Sequence, residues 1–170
     1  MLSFIIILVL EQVGLLAIDH TYGKSALSDL NKRYSAAGKT HELLRVAQAA
    51  LEAEPGDILK KNNVAYLSML LEANVDKAFA MAAEVYQQSP ENPQFASTYA
   101  LSLYRQRNFN EALRVLRLLS AEQLEDPSVA LCYGILLAER GSEEDAGHYL
   151  ELARRGSLLP EEKALIAAIK

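Results

Sequence analysis

The chain is 170 residues long, 51 % hydrophobic and 23 % charged, which provides enough apolar side chain for a core and excludes intrinsic disorder. Its net charge of −5 argues against a general nucleic-acid binder, which needs a basic surface to release counterions. One cysteine, Cys132, excludes an intrachain disulfide framework and a cysteine-based zinc cluster.

In chain order, residues 2–18 come first, an apolar run in which Glu11 and Gln12 are the only strongly polar members. As a helix the run is roughly 25 Å long, at the short end of what spans a bilayer. Its bulky apolar residues favour insertion by roughly 4–6 kcal/mol, against about 3 kcal/mol for a central carboxylate. Three readings stand for residues 1–23: a membrane anchor, a helix buried against the fold or a partner, and a signal peptide. No basic residue precedes the run and no small-x-small site precedes Asp19, which weighs against the third. For an anchor, Lys24, Lys32 and Arg33 on its C-terminal side place the following domain in the cytoplasm.

Ser25 is read as the cap of a first helix that ends at Ala37, before Gly38. Thr40 with Glu42 opens a second helix to Ala53, and Asp57 caps a third to Glu72. Asn74 caps a fourth to Gln88, and Asn92 followed by Pro93 starts a fifth. Asn108 or Asn110 begins a sixth that ends near Ser120, and Asp126-Pro127 repeats the cap-and-proline device for a seventh. Ser142 starts an eighth, ending before Gly156. Leu159-Pro160-Glu161-Glu162 opens a last helix, with acids on its positive dipole end.

These helices repeat. Ala78, Ala112 and Ala146 recur at a spacing of 34, with Tyr66, Ala100 and Gly134 twelve residues before them. Met69, Leu103 and Leu137 follow three residues after that column. Small residues in one column and larger ones in the next let two crossing helices approach and interlock. An earlier copy, with one extra residue before the next unit, reads Leu27, Leu30, Asn31, Tyr34, Gly38 and Leu43.

A 34-residue helix-turn-helix with these columns resembles the tetratricopeptide repeat. The stretches Arg107–Leu113 and Gly141–Ala146 are similar to the family's turn and the start of its second helix, and Pro55 and Pro90 fall at its terminal proline. The first-helix Trp is absent, Leu43 replaces Ala, and Leu124 and Leu158 stand at the proline column in the last two units. The resemblance implies an all-α, right-handed superhelical solenoid over residues 24–160, with units at about 24–57, 59–92, 93–126 and 127–160. Residues 161–170 are then a capping helix that covers the last apolar face.

No chemistry-bearing constellation emerges from the sequence. His20, His41 and His148 lack partners at metal-ligand spacing, and Gly23-Lys24-Ser25 lacks the earlier glycine of a phosphate loop. The expectation is no catalytic residue, no metal, no cofactor and no nucleic-acid partner. What the resemblance implies instead is a protein or peptide partner held in a concave groove lined by the first helices. Carried over by position, the lining residues are Lys60, Asn63 and Leu67 in one unit and Ser97, Thr98, Leu101, Tyr104 and Arg105 in the next. Asn63 matches the carboxylate-clamp subset of the family in type, but Leu67, Leu101 and Thr98 replace its Lys and Asn neighbours. The expected function is therefore a scaffold, tethered to a membrane by residues 2–18. The alternative is an assembly module that uses residues 2–18 to pack on a partner subunit. Leu67, Leu101 and Tyr104 also admit a purely structural role, as packing between units.

Overall fold

A computed structural model describes residues 20–169, with side chains from Ala26 onward. Among them the secondary structure is helical. The helices are α1 (His20–Ala36), α2 (Thr40–Ala53), α3 (Ile58–Leu70), α4 (Val75–Gln88) and α5 (Pro93–Arg105). They continue with α6 (Phe109–Leu116), α7 (Ala121–Leu124), α8 (Pro127–Glu139), α9 (Glu143–Arg154) and α10 (Pro160–Ala167). The hydrophobic run 2–18 lies outside the described residues. Within them no helix is long and apolar enough to cross a membrane.

Local chemistry sets several helix starts. The Asp57 carboxylate accepts the N–H groups of Leu59 and Lys60 at 2.9 and 3.1 Å, satisfying donors that the first turn leaves free. The Lys60 N–H and ammonium hold that carboxyl below its ordinary pKa. Asn92 accepts from Gln94 and Phe95, and Asp126 from Ser128, each with proline in the first turn. Other expected caps differ. Ser25 lies inside α1, and Asn74, Asn108 and Ser142 make no side-chain cap bond, whereas Thr40 opens α2 as expected. The sixth helix stops at Leu116 instead of Ser120. Ser120 turns to extended backbone and forms a reciprocal capping box with Gln123, which starts the separate turn α7.

Consecutive helices pair as antiparallel hairpins (α1 with α2, α3 with α4, α5 with α6, α8 with α9), and α5 packs against both α3 and α8. The chain is an all-α solenoid of stacked helical hairpins. Each turn uses one left-handed residue at the same place: Gly38, Glu72, Arg107 and Gly141. The turn between α3 and α4 has a second, Asn74, with φ of 50°. The backbone bonds locate the insertion. Ala73, Asn108 and Ser142 donate to the carbonyls of Ser68, Leu103 and Leu137, so α3 aligns with α5 at a spacing of 35. Asn74, Asn108 and Ser142 accept from Ala78, Ala112 and Ala146, so α4 aligns with α6 at 34.

Asn74 is therefore one extra residue inside the turn, and the columns of α3 move by one. The small residue of the second unit is Ala65, fully buried like Ala100, and not Tyr66. Tyr66 instead shares its helical position with Leu101 and Ile135. In the fourth unit the small position has no slack. A Cβ on Gly134 would stand 2.9 Å from Leu150 side-chain atoms and 3.1 Å from its backbone nitrogen.

The core runs unbroken from Leu43 and Leu44 of α2 to Leu136 and Leu137 of α8. Helix α10 packs on α8, and its Leu165 and Ile166 lie against a second cluster of Ala130, Leu131, Ile135, Leu150 and Ala153. Its first turn does more than cover that face, because it reaches back to the first two units.

Candidate functional site

The first hairpin is joined differently from the others. Helix α1 packs on α2, and among the described residues its packing on α3 is much weaker than that of α5 on α3 and α8. Asn31 and Leu43 stand where the fourth unit has Gly134 and Ala146, so the small-residue approach is absent at this crossing. Between α1, α2 and α3 a cleft of about 550 Å³ remains. Its floor is apolar, with Leu27, Leu43, Val46, Ala47 and Leu67. Ser28, Asn31, Ser35, Glu54, Lys60 and Asn63 are its polar lining, and Leu159 from the C-terminal segment joins it beside Tyr66.

The structure brings Lys60, Asn63 and Leu67 together on this cleft. Lys60 is half-buried, and its ammonium bonds to the Glu54 carboxylate and lies 3.1 Å from Asp57. The bond to Glu54 is the main cause that raises its pKa. Asn63 is exposed and Leu67 is buried.

The residues carried over onto α5 do not line it. Ser97 is buried and its hydroxyl donates to the Ser128 carbonyl at 3.4 Å, tying α5 to the start of α8. Thr98 and Leu101 are buried, 3 % exposed each. Tyr104 is half-buried, with its ring 5.6 Å from Phe109 and its hydroxyl donating to Glu139 at 3.5 Å. Burial first, and then the Glu139 charge, raise its pKa. Arg105 pairs with Glu72 at 2.9 Å, and its Nε is buried without a hydrogen-bond partner.

Tyr66 and Asn62 escaped the sequence reading because the inserted Asn74 moves the positional match. With α3 aligned at 35, Asn62, Asn63 and Tyr66 correspond to Ser97, Thr98 and Leu101. Asn62 is 5 % exposed and its carbonyl oxygen has no hydrogen-bond partner. Tyr66 donates its hydroxyl to Glu162, and burial, reinforced by that carboxylate, holds its pKa well above 10.

A family model described as tetratricopeptide repeat matches residues 69–132, from the end of α3 to the middle of α8. These are tetratricopeptide repeats. Such repeats generally mediate protein–protein interactions. No curated protein matches the chain.

Burial pushes the Cys132 thiol up to about 12, which leaves no thiolate for nucleophilic attack at neutral pH. Among the described residues no group of three His, Cys, Asp or Glu side chains could hold a metal ion.

Proposed function

We propose that this chain is a non-enzymatic scaffold that binds a peptide or protein segment in the cleft between α1, α2 and α3. The observation that carries this reading is the cleft itself, about 550 Å³ in volume with an apolar floor. Concave apolar sites with a few fixed polar groups are where ligands gain burial and orientation together. Leu43 and Leu67 supply the burial, while Lys60 and Asn63 on the same cleft supply the orientation.

Selection of a displayed random-peptide library against the full chain tests it. Binders are expected that lose about tenfold or more in affinity with Lys60→Glu or Asn63→Arg, equivalent to about 1.4 kcal/mol. A selection that yields no binder, or binders indifferent to both changes, removes the cleft as the site.

The seventeen-residue apolar stretch 2–18 supports a second element, attachment to a membrane or to a partner subunit. Alkaline extraction of membranes carrying the full chain separates the two. Retention is expected of a spanning segment, and release excludes it.

A further inference from the structure

Three distant segments meet at the first turn of α10. Pro160 lies 3.3 Å from the place a Cβ on Gly38 would take, against the turn between α1 and α2. The Thr40 hydroxyl donates to Glu161, and the Tyr66 hydroxyl donates to Glu162. Leu159 is buried and lines the same cleft as Leu43 and Leu67. Leu159 thus lines one end of the cleft beside Tyr66, while Pro160, Glu161 and Glu162 anchor the segment next to it on Gly38, Thr40 and Tyr66.

The hold is built from weak elements. Glu162 is 9 % exposed, and its carboxylate accepts from Tyr66 and from the Leu159 N–H. Among the described residues no cation pairs with it or with Glu161. Burying a carboxylate without a cation forfeits hydration that two neutral donors replace incompletely. Such a contact gains less than a buried carboxylate paired with a cation would.

We propose that residues 159–162 are an internal occupant of the groove, and that the partner carries the same chemistry and enters by displacing them. That chemistry is an apolar residue and a proline leading into two carboxylates at a helix start. This rests on the reading of the cleft as a binding site. Thr40 and Tyr66 receive the incoming carboxylates, Leu43 and Leu67 take the apolar residue, and Gly38 leaves room for the proline. A tethered segment competes at an effective concentration on the order of millimolar, so an outside peptide needs added contacts such as Lys60 and Asn63.

The test uses the full chain and its Glu161→Ala/Glu162→Ala variant, which weakens the internal segment and leaves the groove intact. The probe is a fluorescein-labelled synthetic peptide of residues 156–169, read by anisotropy. Hydrogen exchange of amides 157–169 reports release of the segment. The variant is expected to bind the peptide about tenfold or more tightly than the unaltered chain does and to exchange those amides faster. A peptide with both glutamates changed to glutamine is expected to lose that gain. Equal binding by the two proteins overturns the proposal, as does a released segment with no peptide bound. If circular dichroism shows the double variant unfolded, Tyr66→Phe carries the test: faster exchange of 157–169 supports the proposal, and unchanged exchange overturns it. Library binders that depend on Lys60 but leave the exchange of 157–169 unaltered sink this proposal and spare the scaffold reading. Absence of any cleft binder sinks both.

Discussion

At the crossing of α8 and α9, Gly134 lets the Leu150 side chain come so near that a methyl group would not fit. At the matching crossing of α1 and α2 stand Asn31, which is exposed, and Leu43. The same hairpin is thus built tightly at one end of the solenoid and loosely at the other. Close approach brings α9 tightly onto α8, and α5 packs on both α3 and α8, whereas among the described residues α1 packs on α2 and far less on α3. The cleft is the direct consequence. The tight crossing lies in the fourth unit, and the cleft lies beside the first.

The sharpest way to break this contrast is to cut one leucine from the first unit and one from the third. Leu116 is fully buried, so Leu116→Ala is expected to destabilise by about 3–4 kcal/mol through lost transfer energy and an unfilled cavity. Leu27 is half-buried on the cleft, and Leu27→Ala is expected to reduce stability by about 1 kcal/mol. Urea denaturation measures both. Equal losses would mean that the first unit is packed as tightly as the third.

The small-residue column gives the next effect. Gly134→Ala gains helix propensity but forces a methyl group against the Leu150 backbone nitrogen, so a net loss of about 1–2 kcal/mol is expected. Asn31→Ala meets no such neighbour at its exposed position and is expected to be neutral or to stabilise by about 0.5 kcal/mol. Opposite signs in urea midpoints would uphold the comparison. The same sign would end it.

Much of this architecture was legible in the sequence, and the parts that were not have physical reasons. Asn92-Pro93 and Asp126-Pro127 announce helix starts because cap and proline act on their own backbone. The alanines at 78, 112 and 146 keep their spacing because the inserted residue lies upstream of all three and falls in no interval between them. Asn74 itself was invisible to an ungapped overlay, and it shifted Tyr66 into the small column by one place. Ser120 and Gln123 did carry a capping-box pattern, local enough to have marked α7. Lys60, Asn63 and Leu67 fall on the cleft, whereas Ser97, Thr98 and Leu101 are covered by the stacking of α5. The bonds from Thr40 and Tyr66 to α10 join residues 121 and 96 positions apart, a distance over which no local pattern speaks.

Alkaline pH acts next, and on both sides of the contrast. Burial raises the pKa of the Cys132 thiol on α8 and of the Tyr66 and Tyr104 hydroxyls on α3 and α5. A folded-state pKa raised above the unfolded value gives stability that is complete below the unfolded pKa and lost as pH climbs toward the folded one. For Cys132 that window opens near pH 9 and extends to about 12. Stability is expected to fall by about 1 kcal/mol between pH 8 and 10, and Cys132→Ala is expected to flatten the slope. A slope unchanged by that substitution would show that the thiol is not the group responsible.

The smallest effect compares the four turns at one shared position. Gly38, Glu72, Arg107 and Gly141 all have φ between 54° and 75°, a region where a Cβ crowds the following carbonyl. Glycine escapes that crowding but loses more chain freedom on folding, so the two terms largely cancel. Arg107 is exposed, which makes it the cleanest place to weigh them. Arg107→Gly is expected to stabilise by about 0.5 kcal/mol, because relief of left-handed strain of about 1–2 kcal/mol exceeds glycine's entropic loss of about 0.5–1 kcal/mol. Gly141→Ala has open space around its added methyl, so it reports the backbone term alone and is expected to destabilise by about 1 kcal/mol. Matched urea titrations of the two variants decide the point. If Arg107→Gly destabilises while Gly141→Ala does not, the turns are fixed by contacts beyond the backbone, and the loose first unit cannot be traced to its helix crossing alone.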